Sequence, residues 1–448
     1  MIGIDKVKDA IEKKGTFDVV SRGMWQRYIL EKASRFAWDE PKRADGVPIL
    51  ARPSVGSQII NHKLHVPFDR TIVSNKVSYF ASNVAISFDN IPSAVEDFYR
   101  DSRFADDFQL LYQELGDYCA DVGTAYAVLT KTGTSVAVTT IEPWAALVKP
   151  SAVNGDPEWA VIYDETTATV YDGLDKAIYA IEPSNQQATW SLVSSEPHGF
   201  GTRSRPGVPV VEFPNNPNRI GNAVMTIGLA DAYDISLSDL SSEISQTRLA
   251  YLLMKGTGAD GDEVVETLKK TGVIILDDAG SDAKFITKEM NSDAVDLLQK
   301  DLRRLIYEGA SSYDPASFSD GTTPPTAFEV QQRLSPLEND VSTTLKMWTR
   351  ALRYMDHVIQ TFLYTFIRAD EYDSTGIDRI FRRTAPLNTM GMLVEAKQAG
   401  IILSNRTKIE LSGFQRDAEE EEARLEAELG TVMEEAPTEN VSKGFSPD

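Results

Sequence analysis

The stretch TAFEVQQRLSPLENDVSTTLKMWTRALRYMDHVIQTFLYTFIR, residues 326–368, decides the fold of this 448-residue chain. Its large apolar side chains recur at spacings of three and four, which predicts one long helix with an apolar seam. At about 1.5 Å per residue, this helix would extend roughly 60 Å. A helix of this length indicates an elongated assembly, and the alternative is a long core helix in an α-rich domain. The seam comprises Leu337, Val341, Leu345, Trp348, Leu352, Met355, Ile359, Phe362 and Phe366.

Local sequence signals predict where this helix starts and where it bends. Thr326 and Glu329 form a capping-box pattern directly after Pro325, which predicts a helix start at this point. Pro336 lies inside the helical run, where it removes a backbone hydrogen bond and costs about 3 kcal/mol. We therefore expect a kink at Pro336.

Composition sets limits on the function. The chain is 42% apolar and carries 67 Asp and Glu against 45 Lys and Arg, for a formal charge of −22. This surplus argues against tight binding of nucleic acid, which needs clustered cations, but not against a protein past which DNA slides. Cys119 is the single cysteine, so no internal disulfide and no thiolate zinc site is expected. Neither a membrane span nor a secretory signal is predicted.

The N-terminal half has a mixed pattern. We predict short helices over residues 5–14 and 22–35, a strand-like region over residues 63–88, and one helix over residues 93–120. A hairpin with its turn at residues 132–134 should follow, and then strands over residues 159–163, 168–171 and 177–181 in a mainly antiparallel sheet. Residues 196–209 are rich in glycine and proline, which indicates a connecting loop. The fold class expected from this pattern is α+β.

A glycine motif offers a competing function. Gly256, Gly258 and Gly261 satisfy G-x-G-x-x-G, and residues 273–277 could supply the next strand of a dinucleotide-binding unit. We instead predict a helix over residues 223–254 that ends at Gly256, because acids crowd the start of the following helix, where a pyrophosphate needs positive potential.

No catalytic constellation stands out. His62 and His65 are three residues apart with no third ligand nearby, and neither a G-x-S-x-G elbow nor a Walker A loop occurs. We expect no catalytic activity, no cofactor and no metal.

The phrase Val208-Pro-Val-Val-Glu-Phe-Pro-Asn-Asn216, followed by a helix containing residues 231–239, resembles the portal proteins of tailed bacteriophages of the siphovirus type. The early strand-forming segment of that family is similar to residues 75–87, and its following sheet is similar to Gly123-Thr-Ala-Tyr126 with Ile141-Glu-Pro143. Its closing helices are similar to residues 400–407 and 417–422. The order of these segments agrees from about residue 60 to residue 430.

The resemblance implies an elongated α+β portal subunit with an α/β wing, a helical stem, a small α/β clip, a long kinked tunnel helix and a helical crown. The implied parts are the wing (1–220 and 369–387), the stem helices (221–255 and 291–312), the clip (256–290), the tunnel loop (313–325), the tunnel helix (326–368), the crown (388–430) and a disordered tail (431–448).

The resemblance also implies a role. A ring of roughly twelve copies at one capsid vertex would surround a tunnel for double-stranded DNA, bound without sequence specificity. Its partners would be the large terminase, the major capsid and scaffolding proteins and a head–tail adaptor, with no membrane. The protein would assemble in the host cytoplasm and reside in the virion. We expect copies of the long helix, packed side by side around the ring axis, to cover the apolar seam and to present DNA with an electrostatically unwelcoming wall.

Site residues follow from the same resemblance. The tunnel loop would use Ser317, Ser319, Asp320, Gly321, Thr322 and Thr323, and the clip would dock the motor and neck through Val264, Leu268, Lys269, Val273 and Ile275. Portal proteins often carry a Ser-Gly pair just before the tunnel helix, whereas this loop ends in two prolines, so its contact with DNA stays open. The alternatives are a cytoplasmic dinucleotide-binding enzyme using Gly256, Gly258 and Gly261, and a coiled-coil scaffold in which the long helix pairs in a dimer.

Overall fold

A computed structural model describes residues 3–15, 62, 64–132, 135–182, 189–247, 251–255, 282–286, 292–318, 327–367 and 372–383. The chain forms two compact units. The first comprises Met1–Asp314 with Pro336–Thr384, and the second comprises Pro315–Ser335 with Ala385–Asp448. Across these described ranges, no helix is long and apolar enough to span a bilayer.

The largest sheet is a five-stranded antiparallel meander. Its strands are β4 (Ala146–Pro150), β5 (Pro157–Tyr163), β6 (Thr167–Tyr171), β7 (Asp175–Glu182) and β8 (Thr189–Pro197), in that order. Helix α1, residues 4–15, lies on one face and buries Val7 against Trp159, Val161 and Val170. The helix over residues 5–14 and the antiparallel sheet are therefore confirmed.

A second sheet has three strands in the order β3-β2-β9, where β2 is Thr124–Thr132, β3 is Ser135–Ile141 and β9 is Val210–Pro214. The antiparallel pairing of β2 and β3, which places Thr132 opposite Ser135, confirms the predicted hairpin, and residues 133–134 of its turn lie outside the described residues. Before it, the helix predicted over residues 93–120 is two helices, α3 (Ser93–Arg100) and α4 (Ser102–Val122). Asp101 separates them because its backbone is extended, with φ −53° and ψ 125°.

The strand-like prediction for residues 63–88 is wrong over most of its length. Residues Phe68–Phe80 form helix α2, and only β1 (Val84–Phe88) is a strand, paired antiparallel with β12 (Ile377–Phe381). The buried residues of α2 include Phe68, Ile72 and Val73, together with Lys76, Val77 and Phe80. These buried residues recur at spacings of three to five and so define one face of a helix. This helical pattern extends over more residues than the strand-like alternation of apolar residues around Tyr79.

The helix predicted over residues 223–254 is also corrected. Helix α5 spans Ile227–Thr247, and Tyr251–Lys255 forms strand β10 instead. Strand β10 pairs antiparallel with β11, Asp282–Ile286. Residues 251–254 form a short apolar run, which is compatible with either a helix or a strand. Its pairing with β11 decides that the conformation is a strand.

Helix α6, Ser292–Gly309, packs along α5. A core cluster joins these helices to α2 through Phe68, Ile72, Ala230, Ile306, Tyr307 and Ala310.

The long helix, α7, spans Ala327–Phe362 and is followed by a π-helical turn at Leu363–Ile367. This agrees with the long helix predicted from the seam spacing. Pro336 lies inside the helix, where the two compact units meet in sequence. The kink expected at Pro336 stays a prediction.

Candidate functional site

The seam of the long helix is covered by the chain's own side chains. Trp348 packs edge-on against Phe80 and Phe213, with ring centroids 5.4 Å apart in both pairs. Phe362 stacks on Phe200 at 5.4 Å. Buried seam residues are Leu337, Val341, Trp348, Leu352, Met355, Ile359 and Phe362, while Leu345 is half-buried. The expectation that copies of the helix cover this seam is therefore wrong for these seven positions.

A buried lysine ties the long helix to α2. Lys76 is 1% exposed, and its ammonium lies 2.7 Å from Asp340 Oδ2 on the long helix. The ammonium also donates to Asn215 Oδ1 at 2.6 Å and to Asn222 Oδ1 at 3.0 Å. Burial lowers the pKa of Lys76, and the Asp340 carboxylate opposes this shift. With three acceptors around it, we assign the charged form to Lys76.

The asparagines in this network are themselves fixed. Asn222 Nδ2 donates to Asp340 Oδ2 at 2.8 Å and to the Ala310 carbonyl at 3.0 Å. Thr344 donates to Asn215 Oδ1 at 3.3 Å. Gly221, beside Asn222, lies so close to the backbone of Asp121 that an added Cβ would collide with it. The turn after β9 is thus held tightly against the end of α4.

A second buried ion pair lies further along the same helix. Asp356 on the long helix accepts two hydrogen bonds from the Arg379 guanidinium on β12, and Tyr99 donates to Asp356 Oδ1 at 2.9 Å. Burial raises the pKa of Asp356, and Arg379 works against that rise. Burial alone would lower the pKa of Arg379, but the Asp356 carboxylate raises it well above its ordinary value. The pair fixes β12 to the helix.

The outward face of the long helix carries cations. Within Pro336–Phe362, the carboxylates of Asp340 and Asp356 are directed into the chain, and Glu338 is bound by Arg383 at 2.8 Å. On the exposed face within Pro336–Phe362 lie Lys346, Arg350 and Arg353. The electrostatically unwelcoming wall expected of this helix stays a prediction.

An extended segment is bound along α5 by side chains four residues apart. The backbone N–H groups of His62, Leu64 and Val66 donate to Ser242 Oγ, Ser238 Oγ and Asp234 Oδ1, each at 2.9 Å. Two extended residues and four helical residues both advance about 6 to 7 Å, so the two repeats coincide. His65 also contacts Asp234, with Nδ1 and Oδ2 2.5 Å apart.

The histidines do not assemble a metal site. His62 contacts Ser241 at 2.7 Å, and buried His198 interacts with the Asp172 carbonyl and accepts from the Phe200 backbone. Burial lowers the pKa of His198. Among the residues that the structure describes, no group of three or more His, Cys, Asp or Glu side chains is arranged to hold a metal ion.

Most of the predicted loop and clip residues lie outside the described ranges. Ser317 belongs to a short 3₁₀ turn, Pro315–Phe318. Outside the described residues are Ser319, Asp320, Gly321, Thr322, Thr323, Val264, Leu268, Lys269, Val273 and Ile275. Phe366 is within the π-helical turn, but its side chain is not among those described.

The glycine motif also lies outside the described ranges, but the strand before it is described. Strand β10 ends at Lys255, directly before Gly256, and pairs antiparallel with β11. A dinucleotide-binding βαβ unit requires a parallel neighbour. The antiparallel pairing of β10 therefore speaks against the dinucleotide-binding alternative.

Sequence reasoning missed the polar anchors of the long helix. A signal was present, because Asp340, Thr344, Asp356 and Gln360 share a four-residue spacing with the apolar residues Trp348 and Leu352. All of these except Asp340 are buried, and Asp340 is half-buried. Polar residues in register with an apolar seam predict buried partners, but not which residues supply them.

The described residues define a mixed helix-and-sheet protein organised around one long helix with buried ionic anchors. Residues 24–435 match the family described as "Phage portal protein, SPP1 Gp6-like". Because this match covers most of the sequence, the chain belongs to that family of phage portal proteins.

Individual relatives are distant. The portal protein of Bacillus phage SPP1 is 24% identical over 287 residues, which is 61% of this chain. The match spans 54% of that relative, so the chain covers about half the length of the curated relative. Two similar solved chains come from "Virion of native gene transfer agent (GTA) particle" and "Neck of native GTA particle computed with C12 symmetry". Both are 12% identical with TM-score 0.41; they cover 77% and 80% of this chain, and 88% and 97% of their own.

Proposed function

We propose that this chain is the subunit of a portal ring at one vertex of a phage capsid. The ring surrounds a tunnel through which double-stranded DNA enters during packaging and leaves at ejection. It is also the platform on which the packaging motor and the neck or tail proteins dock. The observation that carries the proposal is the family match over residues 24–435.

The anchoring of the long helix supports a mechanical role. Two buried ion pairs and an aromatic cluster fix the helix to α2, β9 and β12. Well-packed interiors resist deformation, so a helix held in this way keeps its position when force is applied to it. The subunit acts as a rigid frame, and a separate ATPase supplies the energy.

Ring closure needs surfaces other than the apolar seam. Identical subunits close into a ring through head-to-tail contacts between two different surfaces of the chain. A count of about twelve copies is the expectation for such a portal ring. The seam is occupied within the chain, so these contacts involve exposed faces of the subunit.

The loop and clip assignments remain part of this proposal. Ser317, Ser319, Gly321, Thr322 and Thr323 offer short neutral contacts to passing phosphates, and Asp320 repels them. The clip side chains Val264, Leu268, Lys269, Val273 and Ile275 dock the large terminase and later the head–tail adaptor. The capsid and scaffolding proteins contact the ring as it is built into the shell.

Negative-stain images of the purified full chain test the proposal. We expect rings with a central hole, and light scattering should give a mass about twelve times the 49.5 kDa of one chain. A stable monomer at micromolar concentration in native mass spectrometry, without rings at any salt concentration, contradicts the portal function.

A further inference from the structure

A groove with a basic rim lies beside the long helix. A cavity of about 730 Å3 is bordered by α1, β4 and the turn after β9, and a smaller one of about 100 Å3 adjoins it along the long helix. The two cavities share Val148, Pro150, Glu212 and Arg219. We call this continuous surface the basic groove. Its apolar floor contains Ala10, Val122, Leu147, Val148, Ile220 and Val224.

The charge of the groove is opposite to that of the chain. Its lining contains five cations, Lys13, Lys14, Lys149, Arg219 and Arg350, against the two carboxylates Glu212 and Asp156. Glu212 is already bound by Arg219 through two hydrogen bonds of 2.7 and 2.9 Å. Lys346 and Arg353 are exposed on the same side of the long helix as Arg350. In a chain of net charge −22, this concentration of positive charge indicates an acidic binding partner.

The groove is shaped for apolar side chains as well as for charge. Lys14 is held at its edge, because its ammonium donates to the carbonyls of Pro143 and Ala146 and lies 5.5 Å from the Tyr126 ring centroid. Lys149 is exposed and makes no ion pair with any described residue. A flat basic patch suits a phosphate backbone, whereas an apolar floor with a charged rim suits an acidic amphipathic helix.

A matching surface exists on the same chain. The N-terminal half of α6 exposes Leu297 and Leu298, which are 63% and 51% accessible. Asp293, Asp296 and Asp301 are exposed on the same half of the helix together with one cation, Lys300. Asp301 also pairs with Arg304 at 3.3 Å, which leaves Asp296 as the carboxylate best placed to meet a cationic rim. Large apolar side chains next to carboxylates on an open helix face are typical of a surface that is covered in an assembly. We call the exposed side chains of Asp296, Leu297, Leu298 and Asp301 the acidic face of α6.

We propose that the basic groove of one subunit receives the acidic face of α6 from a neighbouring copy of this chain. The inference rests on the proposed ring and names the two surfaces that form its interface. Because the groove and the α6 face are different surfaces, the contact is head-to-tail and each subunit offers one of each. The apolar floor of the groove and the leucines of α6 bury each other's apolar surface. The cationic rim and the carboxylates set the orientation of the two subunits and their association rate.

Charge reversal on each side tests this interface. One variant carries Lys13→Glu and Lys149→Glu in the groove, and the other carries Asp296→Lys and Asp301→Lys on α6. All four positions are exposed, so each variant should keep its fold, checked by circular dichroism and thermal unfolding. We expect each variant alone to lose ring assembly, with association weakened at least about 10-fold by light scattering.

Mixing the two variants is the decisive step. In an alternating ring, the acidic groove of the first variant meets the basic α6 face of the second, and the other contact is unaltered. Assembly in an equal mixture should therefore recover toward the wild-type mass. Lys6→Glu, which reverses an exposed charge on α1 away from the groove lining, is the matched control and should assemble normally.

The outcomes separate this inference from the portal function. If the wild type forms rings and both variants also form them, or if the mixture stays monomeric, the proposed interface is wrong while the ring stands. An equal loss of assembly in Lys6→Glu overturns it as well. If the groove variant keeps its ring but binds double-stranded DNA more weakly than the wild type in a filter-binding assay, the groove serves nucleic acid and the interface is wrong. A wild type without rings contradicts the portal function itself.

Discussion

Lys76 on α2 and Asp340 on the long helix form an ion pair of 2.7 Å in which the lysine side chain is 2% exposed and the aspartate 18%. The two residues are distant in sequence, and Asn215 and Asn222 complete the coordination of the ammonium. The pair and its two asparagines therefore fix α2 and the turn after β9 to the long helix near Pro336. A charge at this depth is tolerated only when its partners are present.

Replacing Lys76 by an apolar residue should lower the free energy of unfolding. Lys76→Met leaves the Asp340 carboxylate and two asparagine oxygens without their cation, and we expect the free energy of unfolding to fall by about 3 to 5 kcal/mol. Urea denaturation followed by tryptophan fluorescence measures this, because Trp348 lies in the adjoining core. Lys13→Met, measured like Lys76→Met at protein concentrations low enough to keep the chain monomeric, is the control: its pair with Asp9 is 73% and 62% exposed, and its loss should be at most about 0.5 kcal/mol. Equal effects of the two substitutions would contradict the anchoring role.

The apolar seam of the long helix should stabilise the single subunit. Met355 is fully buried, so Met355→Ala should destabilise the chain by about 2 to 5 kcal/mol through lost burial and a residual cavity. Thr349→Ala, on the exposed face of the same helix, should change stability by less than about 0.5 kcal/mol. Unfolding is measured at protein concentrations low enough to keep the chain monomeric. A Met355→Ala variant that loses assembly but keeps its monomer stability would restore the interpretation that copies cover the seam.

The sequence predicted the long helix but not what covers it. Spacings of three and four residues report that an apolar face must be buried, and they carry no information about whether the cover is intramolecular. Here Phe80, Phe213 and Phe381, each from a different element, pack on Trp348. Such long-range packing is decided by the tertiary fold, which a local pattern cannot specify.

The buried polar anchors were harder still to predict. Lys76 lies in a region that was interpreted as a strand, and a lysine is almost never fully buried unless paired. Its burial depends on Asn215, Asn222 and Asp340, all of which are far from Lys76 in sequence. The hairpin of β2 and β3 was predicted correctly because its signals, alternating side chains and a glycine turn, are local.

The extended segment along α5 should depend on individual hydroxyl groups. Ser238→Ala leaves the Leu64 N–H without its acceptor, and we expect a loss of about 1 to 3 kcal/mol in stability. Hydrogen exchange at the Leu64 amide should accelerate in the same variant, because local opening no longer breaks a hydrogen bond. Ser241→Ala removes only a contact to the exposed His62 ring and serves as the control. Unchanged exchange at Leu64 in Ser238→Ala would show that the serine does not hold this segment.

Cys119 should be inert in the folded chain and should make stability fall at high pH. It is 1% exposed, its thiol donates to the Phe213 carbonyl, and burial raises its pKa from 9.0 to about 12. The unfolded thiol loses its proton near pH 9, whereas the folded thiol keeps it. The contribution of Cys119 to stability is therefore fully present below pH 9 and is lost as the pH rises from there toward 12.

Two measurements test the buried thiol. A thiol reagent at pH 8 should label the native chain far more slowly than the urea-unfolded chain. A Cys119→Ala variant should show a smaller fall in unfolding free energy between pH 8 and 10 than the wild type; rapid native labelling together with identical pH profiles would refute the buried, protonated thiol.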